Sequence, residues 1–280
     1  MILSKQIFKN SLKRLRICRL AGLSVLLIIG GFAHNHLYAS TITPVDYNIS
    51  ELTSTLYRQA PTGYVKPSYQ YKISNSSTQA TATELSAADA AEIMSQEIYR
   101  YLKVDITGKT IELSHGVSTI SSRPGWHGTL QMDSLCTIRL FIDSVTGEIS
   151  FIKRQLAQPT TFETSQTIED LRQPILSNLD ASCKKVKDLI AASDYLPEKI
   201  KSVIFDGSTR FYVYEGPTGK EKIIGITRSH IFNVTTVSDK TYQFILSEDL
   251  TRIDSIVTPE YLTAFNATIS TLMKQKNWIL

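Results

Sequence analysis

After residue 39 the chain has only three imidazoles, His115, His127 and His230, to serve a hydrolytic site. A Ser or Cys nucleophile needs one of them within hydrogen-bond reach and a third group to orient it. No G-x-S-x-G turn announces such a serine, and no H-E-x-x-H sets two imidazoles one helical turn apart for zinc. Thr107-Gly108-Lys109-Thr110 imitates the end of a phosphate loop, but the upstream glycine would fall at Lys103. Gly216-Pro217-Thr218-Gly219-Lys220 ends in Glu221, where a hydroxyl should meet magnesium. Both read as turns. Cys136 beside His127 on a neighbouring strand would need an exposed, stabilised thiolate, whereas Cys136 falls on the apolar parity of its strand. His115 and His127 lack an identifiable carboxylate or Cys partner for a metal and read as surface strand residues. Glu92, Glu97, Asp143 and Glu148 read as solvated acids. The sequence therefore assigns no catalytic residue, no cofactor and no metal ligand.

Recognition is better served. Ser122-Arg123-Pro124-Gly125-Trp126-His127-Gly128 combines loop-forming Pro and Gly with a large amphipathic ring. Arg123, Trp126 and His127 are the candidate partner contacts, with a Trp126 folded onto the core as the alternative. Tyr64, Tyr69 and Tyr71 offer a second contact surface, or an extended strand for a sheet edge.

The first nineteen residues carry six basic side chains, Lys5, Lys9, Lys13, Arg14, Arg16 and Arg19, and no acid; an apolar run from Leu20 to Ala33 follows. This is the pattern of a secretory signal. The apolar core is about 14 residues, short of the roughly 20 that span a bilayer, so cleavage after Ala39 is expected, with an uncleaved anchor as the alternative. The formal charge of +4 belongs to this leader: beyond it 24 basic groups face 26 acidic ones, a net −2. With no basic cluster left, nucleic acid is excluded as a partner. The remaining partner class is another envelope or secreted protein, with the membrane touched only through the N-terminal segment.

Outside the cytoplasm cysteines oxidise. A bond between Cys136 and Cys183 would close a loop of roughly 48 residues, nominally about 4 kcal/mol in the chain-entropy model. The alternative is two core thiols, because Cys136 shares parity with Ile138, Leu140 and Ile142, and Cys183 shares a helical face with Val186 and Ile190.

Residues 40–83 read as a polar tether, with a short helix expected over Asn48 to Tyr57 and a docking strand over Tyr64 to Ile73. Ser86, with Asp89 three residues on, caps an amphipathic helix striped by Ala91, Met94, Ile98, Tyr101 and Leu102. Strands are expected over Thr110–Val117, Trp126–Met132, Cys136–Ile142 and Ile149–Lys153, the last two joined by a turn at Asp143–Glu148 with Gly147 free for positive φ. The order recurs. Leu176-Ser177-Asn178-Leu179-Asp180-Ala181 echoes Leu85-Ser86-Ala87-Ala88-Asp89-Ala90, with Ser177 as cap, and Thr241–Ile253 echoes Thr137–Ile149 without a gap. Further strands are expected over Ile200–Phe205, Arg210–Tyr214 and Glu221–Thr227, and a last helix opens at Thr258-Pro259-Glu260 to pack on the second sheet.

The stretch from 84 to 153, a helix opening after Leu-Ser and strands closing in Arg139-Leu140-Phe141-Ile142-Asp143-Ser144-Val145-Thr146-Gly147-Glu148-Ile149, resembles a PepSY-type domain, a cystatin-like helix on a sheet. The resemblance implies a secreted or membrane-anchored protein that inhibits or regulates peptidases. The expected fold is α+β: a leader (1–39), a tether (40–83), a PepSY-like unit (84–157), a linker (158–175), and a second helix-on-antiparallel-sheet unit with a C-terminal helix (176–280). The expected function is that of an exported, non-enzymatic binding module or peptidase regulator. A structural envelope component and an envelope hydrolase with a dispersed site are the alternatives.

Overall fold

The computed structural model describes residues 60–74, 77–118, 120, 123–159, 167–193, 195–214 and 223–275. The segments expected as leader (1–39), as tether up to residue 59 with a helix over Asn48–Tyr57, and as the centre of the linker lie outside the described residues.

The first helix, α1 (Ala87–Leu102), begins where its cap places it: Ser86 Oγ accepts the Asp89 amide at 3.2 Å. Its buried stripe is Ala90, Ala91, Met94, Ile98, Tyr101 and Leu102. It lies on a meander of β2 (Thr110–Val117), β3 (Pro124–Asp133), β4 (Cys136–Asp143) and β5 (Ile149–Leu156). Close approach depends on Gly128, where a β-carbon would sit 2.3 Å from the Met94 sulfur. The β4–β5 turn closes on Gly147 at φ +71°. Ahead of α1, β1 (Gln70–Ile73) pairs with β2 in parallel, so the docking strand adds to the sheet edge in the one parallel pairing of the described residues.

After β5 and the two-residue β6 (Gln158–Pro159), α2 (Ile168–Ser177) opens with a capping box between Thr167 and Asp170. It runs through Pro174, and Ser177, expected as a cap, ends it by bonding back to the Gln173 carbonyl. The next helix, α3 (Leu179–Ala191), follows from Asn178 with no side-chain cap. Strands β7 (Ile200–Tyr214), β8 (Ile223–Thr236), β9 (Thr241–Ser247) and β10 (Ile253–Val257) form a second meander. The segments expected as separate strands at 200–205 and 210–214 are one strand with a bulge between Phe205 and Gly207.

The expectation of two separate helix-on-sheet units is overturned. β10 pairs antiparallel with β5, setting Ser255, Ile256 and Val257 opposite Lys153, Ile152 and Phe151. This makes one ten-stranded mixed sheet, in order β1-β2-β3-β4-β5-β10-β9-β8-β6, with β7 outside β8. The apolar core is also continuous: Met94, Ile152, Val186, Phe232, Phe244 and Ile256 belong to one cluster. Backbone N–H and C=O groups make the join, and they carry no sequence pattern by which it could be read. The last helix, α4 (Pro259–Gln275), packs against β9 of the second meander, as expected, and reaches β5 of the first as well. Tyr261 packs with Phe141, Phe151 and Val257 on the face turned away from α1.

Candidate functional site

The densest buried polar cluster lies where α1 begins. His115 stands on the inward parity of β2 with Ile111 and Leu113, and a buried imidazole needs partners for both nitrogens. Nδ1 lies 2.8 Å from Thr78 Oγ1, and Nε2 lies 3.0 Å from Glu84 Oε1. Ser144, fully buried in the β4–β5 turn, donates its hydroxyl to the same carboxylate oxygen at 2.6 Å, and the Thr81 amide donates to the other at 2.7 Å. Burial opposes charge on Glu84, but these donors and His115 outweigh it and hold the carboxyl down at about 2. The ionised Glu84 carboxylate accepts from His115 Nε2, while Nδ1 and Thr78 Oγ1 share one hydrogen that either atom can donate. The result is a hydroxyl–imidazole–carboxylate relay whose hydroxyl belongs to an exposed residue. The same atoms also fasten residues 77–86 to β2: the Thr78 hydroxyl is 3.1 Å from the His115 carbonyl, and the His115 amide donates to Ser77 Oγ at 2.8 Å.

Trp126 lies against this cluster, 5.0 Å from the His115 ring, and its indole N–H donates to the Leu85 carbonyl at 2.9 Å. It is 3% exposed, so it belongs to the core and is withdrawn as a partner contact. His127, on the opposite face, packs tilted against the Phe141 ring at 4.5 Å; burial, and then the His115 charge, pull its pKa down to about 4. Of the three expected contacts Arg123 is exposed, 3.6 Å from Asp143, and His127 is half-buried. His115 is buried rather than the surface residue expected, His127 is half-buried, and the two cannot share a ligand from opposite faces. Cys136 and His127 are not neighbours either, since Cys136 opposes Asp133 and His127 opposes Phe141. Cys136 and Cys183 are both free thiols rather than a disulfide, and burial raises the pKa of each.

Glu92, expected to be solvated, is the hub of a second cluster that holds the tether. Tyr64 and Tyr69 donate to its two oxygens at 3.1 and 2.9 Å, Lys66 pairs with it at 2.8 Å, and Gln96 donates at 3.0 Å. Tyr64 also meets Ser95 at 2.9 Å. Burial, then Glu92, pushes the Tyr64 phenol up to about 12, so it remains a donor. Glu97 and Asp143 are likewise buried, at 3% each.

No family model, no curated protein and no solved structure matches this chain.

Between the tether and α1 the Glu92 cluster borders a cleft of about 380 Å3, walled by Tyr64, Pro67, Tyr99, Val104 and Ile106. That volume is within the range of about 300–1,000 Å3 typical of ligand pockets. Val65, at its rim, is 82% exposed. Beside the cleft, β1 exposes all four residues, Tyr71 and Ile73 among them. Among the described residues no three His, Cys, Asp or Glu side chains converge as metal ligands. No described helix is long and apolar enough to cross a membrane. The functional residues that the sequence reading missed are Thr78, Glu84, Glu92 and Ser144. An imidazole on the apolar parity of β2 was the one available signal that a carboxylate had to lie nearby.

Proposed function

We propose that this chain is an exported, non-enzymatic binding protein that acts at the cell surface on another envelope or secreted protein, a peptidase being the partner class its PepSY resemblance implies. The observation that carries the reading is the cleft beside Val65. Of its polar groups, Tyr64 and Ser95 are bonded to each other, Tyr64 and Lys66 to Glu92 beside the cleft, and Thr107 to Asp105, while its apolar wall and the neighbouring strand β1 remain open. Such a surface suits an extended polypeptide, which lays its backbone along a sheet edge and a side chain in the adjoining pocket. The basic leader supports the location.

The test places a photo-crosslinking side chain at Val65 in the full chain and titrates the purified protein against any peptidase so trapped. Saturable inhibition at one-to-one stoichiometry, weakened by Val65→Asp, is expected. Trapping of a non-peptidase envelope protein at the same position would retain the binding role and remove the peptidase. No adduct at position 65 would overturn the reading.

The Thr78–His115–Glu84 relay favours one second reading, a hydrolase acting through the Thr78 hydroxyl. Turnover of a chromogenic ester that disappears in Thr78→Ala would establish it, and an unchanged blank rate in both proteins would dismiss it.

A further inference from the structure

On the sheet face away from α1 to α3, Arg139 of β4 and Lys153 of β5 are directly opposed. Like charges so placed repel each other, and the Arg139 charge acts on Lys153 in that sense. Arg139 is exposed and Lys153 half-buried. The Lys153 ammonium lies 5.3 Å from the centre of the Phe211 ring. Burial, and then Arg139, bring its pKa down to about 8, so the site as it stands holds this cation at a cost.

Next to Lys153 the floor of the sheet turns to hydroxyls. Thr209, Thr227, Ser229 and Ser255 border a cavity of about 10 Å3 together with Lys153 and Phe211, room for about one water. Ser255 is satisfied by the Ile152 carbonyl at 3.0 Å, but Thr227 Oγ1 is buried without a hydrogen-bond partner. Asp254 also borders the cavity, yet its carboxylate is taken by Arg154 at 3.2 Å and Arg252 at 2.8 Å. A lone buried hydroxyl and a pair of opposed cations are each unfavourable, and one negatively charged ligand beside them would relieve both.

We propose that Arg139, Lys153 and the hydroxyls of Thr209, Thr227 and Ser229 form a binding site for the oxyanion of a ligand, a carboxylate or a phosphate. The anion sits between the two cations, where charge-assisted hydrogen bonds from ammonium and guanidinium hold it. The cavity beneath is too small for the anion itself and takes the water that links it to Thr227. Phe211 supplies the apolar wall for the carbon skeleton. The site is on different strands from the cleft at β1 and stands whether or not that cleft binds a protein.

The test is titration calorimetry on the full chain with inorganic phosphate and, separately, acetate, in a buffer free of other oxyanions. Saturable binding of at least one is expected; tighter phosphate identifies a phosphate ligand, and tighter acetate a carboxylate. Lys153→Met and Arg139→Gln should each weaken binding by about tenfold or more, while Lys153→Arg keeps it. Arg139 is exposed, so Arg139→Gln tests the site without disturbing the fold. Absence of saturable binding by either anion, or unchanged affinity in Arg139→Gln, overturns the proposal.

Discussion

His115, Glu84 and Trp126 show how much a single side chain depends on what lies behind it. Trp126 fills the space under the start of α1 and supplies one donor to the Leu85 carbonyl. Trp126→Phe removes that donor and should cost about 1–2 kcal/mol, whereas Trp126→Ala also opens a cavity and should cost about 3–5 kcal/mol, both read by urea denaturation. The titrating side chains give a pH prediction. His127 has a folded pKa of about 4 against an ordinary 6.5, so as pH falls the unfolded chain takes up the proton first. Stability present above 6.5 is therefore lost between 6.5 and 4, and His230, lowered by burial, adds to that loss. Glu84, at about 2 against 4.5, adds a second loss between 4.5 and 2. Melting temperature followed against pH should fall through both windows, with a shallower upper limb in His127→Leu and a shallower lower limb in Glu84→Gln.

At the scale of elements, residues 64–73 are held by the β2 ladder and by the Glu92 cluster. β1 has four exposed residues and one neighbour strand, so its position depends on the donors gathered around Glu92. Glu92→Ala removes the acceptor of Tyr64, Tyr69, Lys66 and Gln96 together. Amide exchange of Gln70–Ile73 should then accelerate markedly while β3 and β4 keep their protection; uniform acceleration across the sheet would show instead that β1 and the core open together. The helix caps are smaller contributors: Ser86→Ala should cost about 1 kcal/mol in the same denaturation experiment. Helix starts were legible in the sequence, α1 from its Ser86 cap and α4 from Pro259 in its first turn. Ser177 was misleading because the α2 helix, begun by Thr167, continues through Pro174 and takes Ser177 into its last turn.

The whole molecule is governed by the seam between β5 and β10. Arg154 of β5 donates to the Asp254 carboxylate and to the Ile253 carbonyl, at 3.2 and 3.1 Å, which ties the two meanders across the core. Arg154→Leu leaves Arg252 on Asp254 but removes these bonds, and should lower stability by about 2–4 kcal/mol. Because the sheet and the large core cluster are continuous, denaturant should unfold β3 and β8 in one transition, followed by amide exchange, in both the native chain and the variant. Two separated transitions would mean that the seam does not couple the halves.

The sequence by itself determined the local elements: helices at capped apolar stripes, strands at alternating runs, the turn at Gly147 and the docking strand before α1. Periodicity and turn chemistry are properties of neighbouring residues, so they can be read in a line. Only the tertiary structure decided that the two meanders share one sheet, that α4 covers Phe141 and Phe151, and that Trp126 is core rather than contact. It alone brought Thr78, Glu84 and Ser144 to His115, and Arg139 to Lys153. Strand edges pair through backbone groups common to every residue, and polar contacts assemble from positions 60 and even 100 residues apart; neither leaves a pattern along the chain.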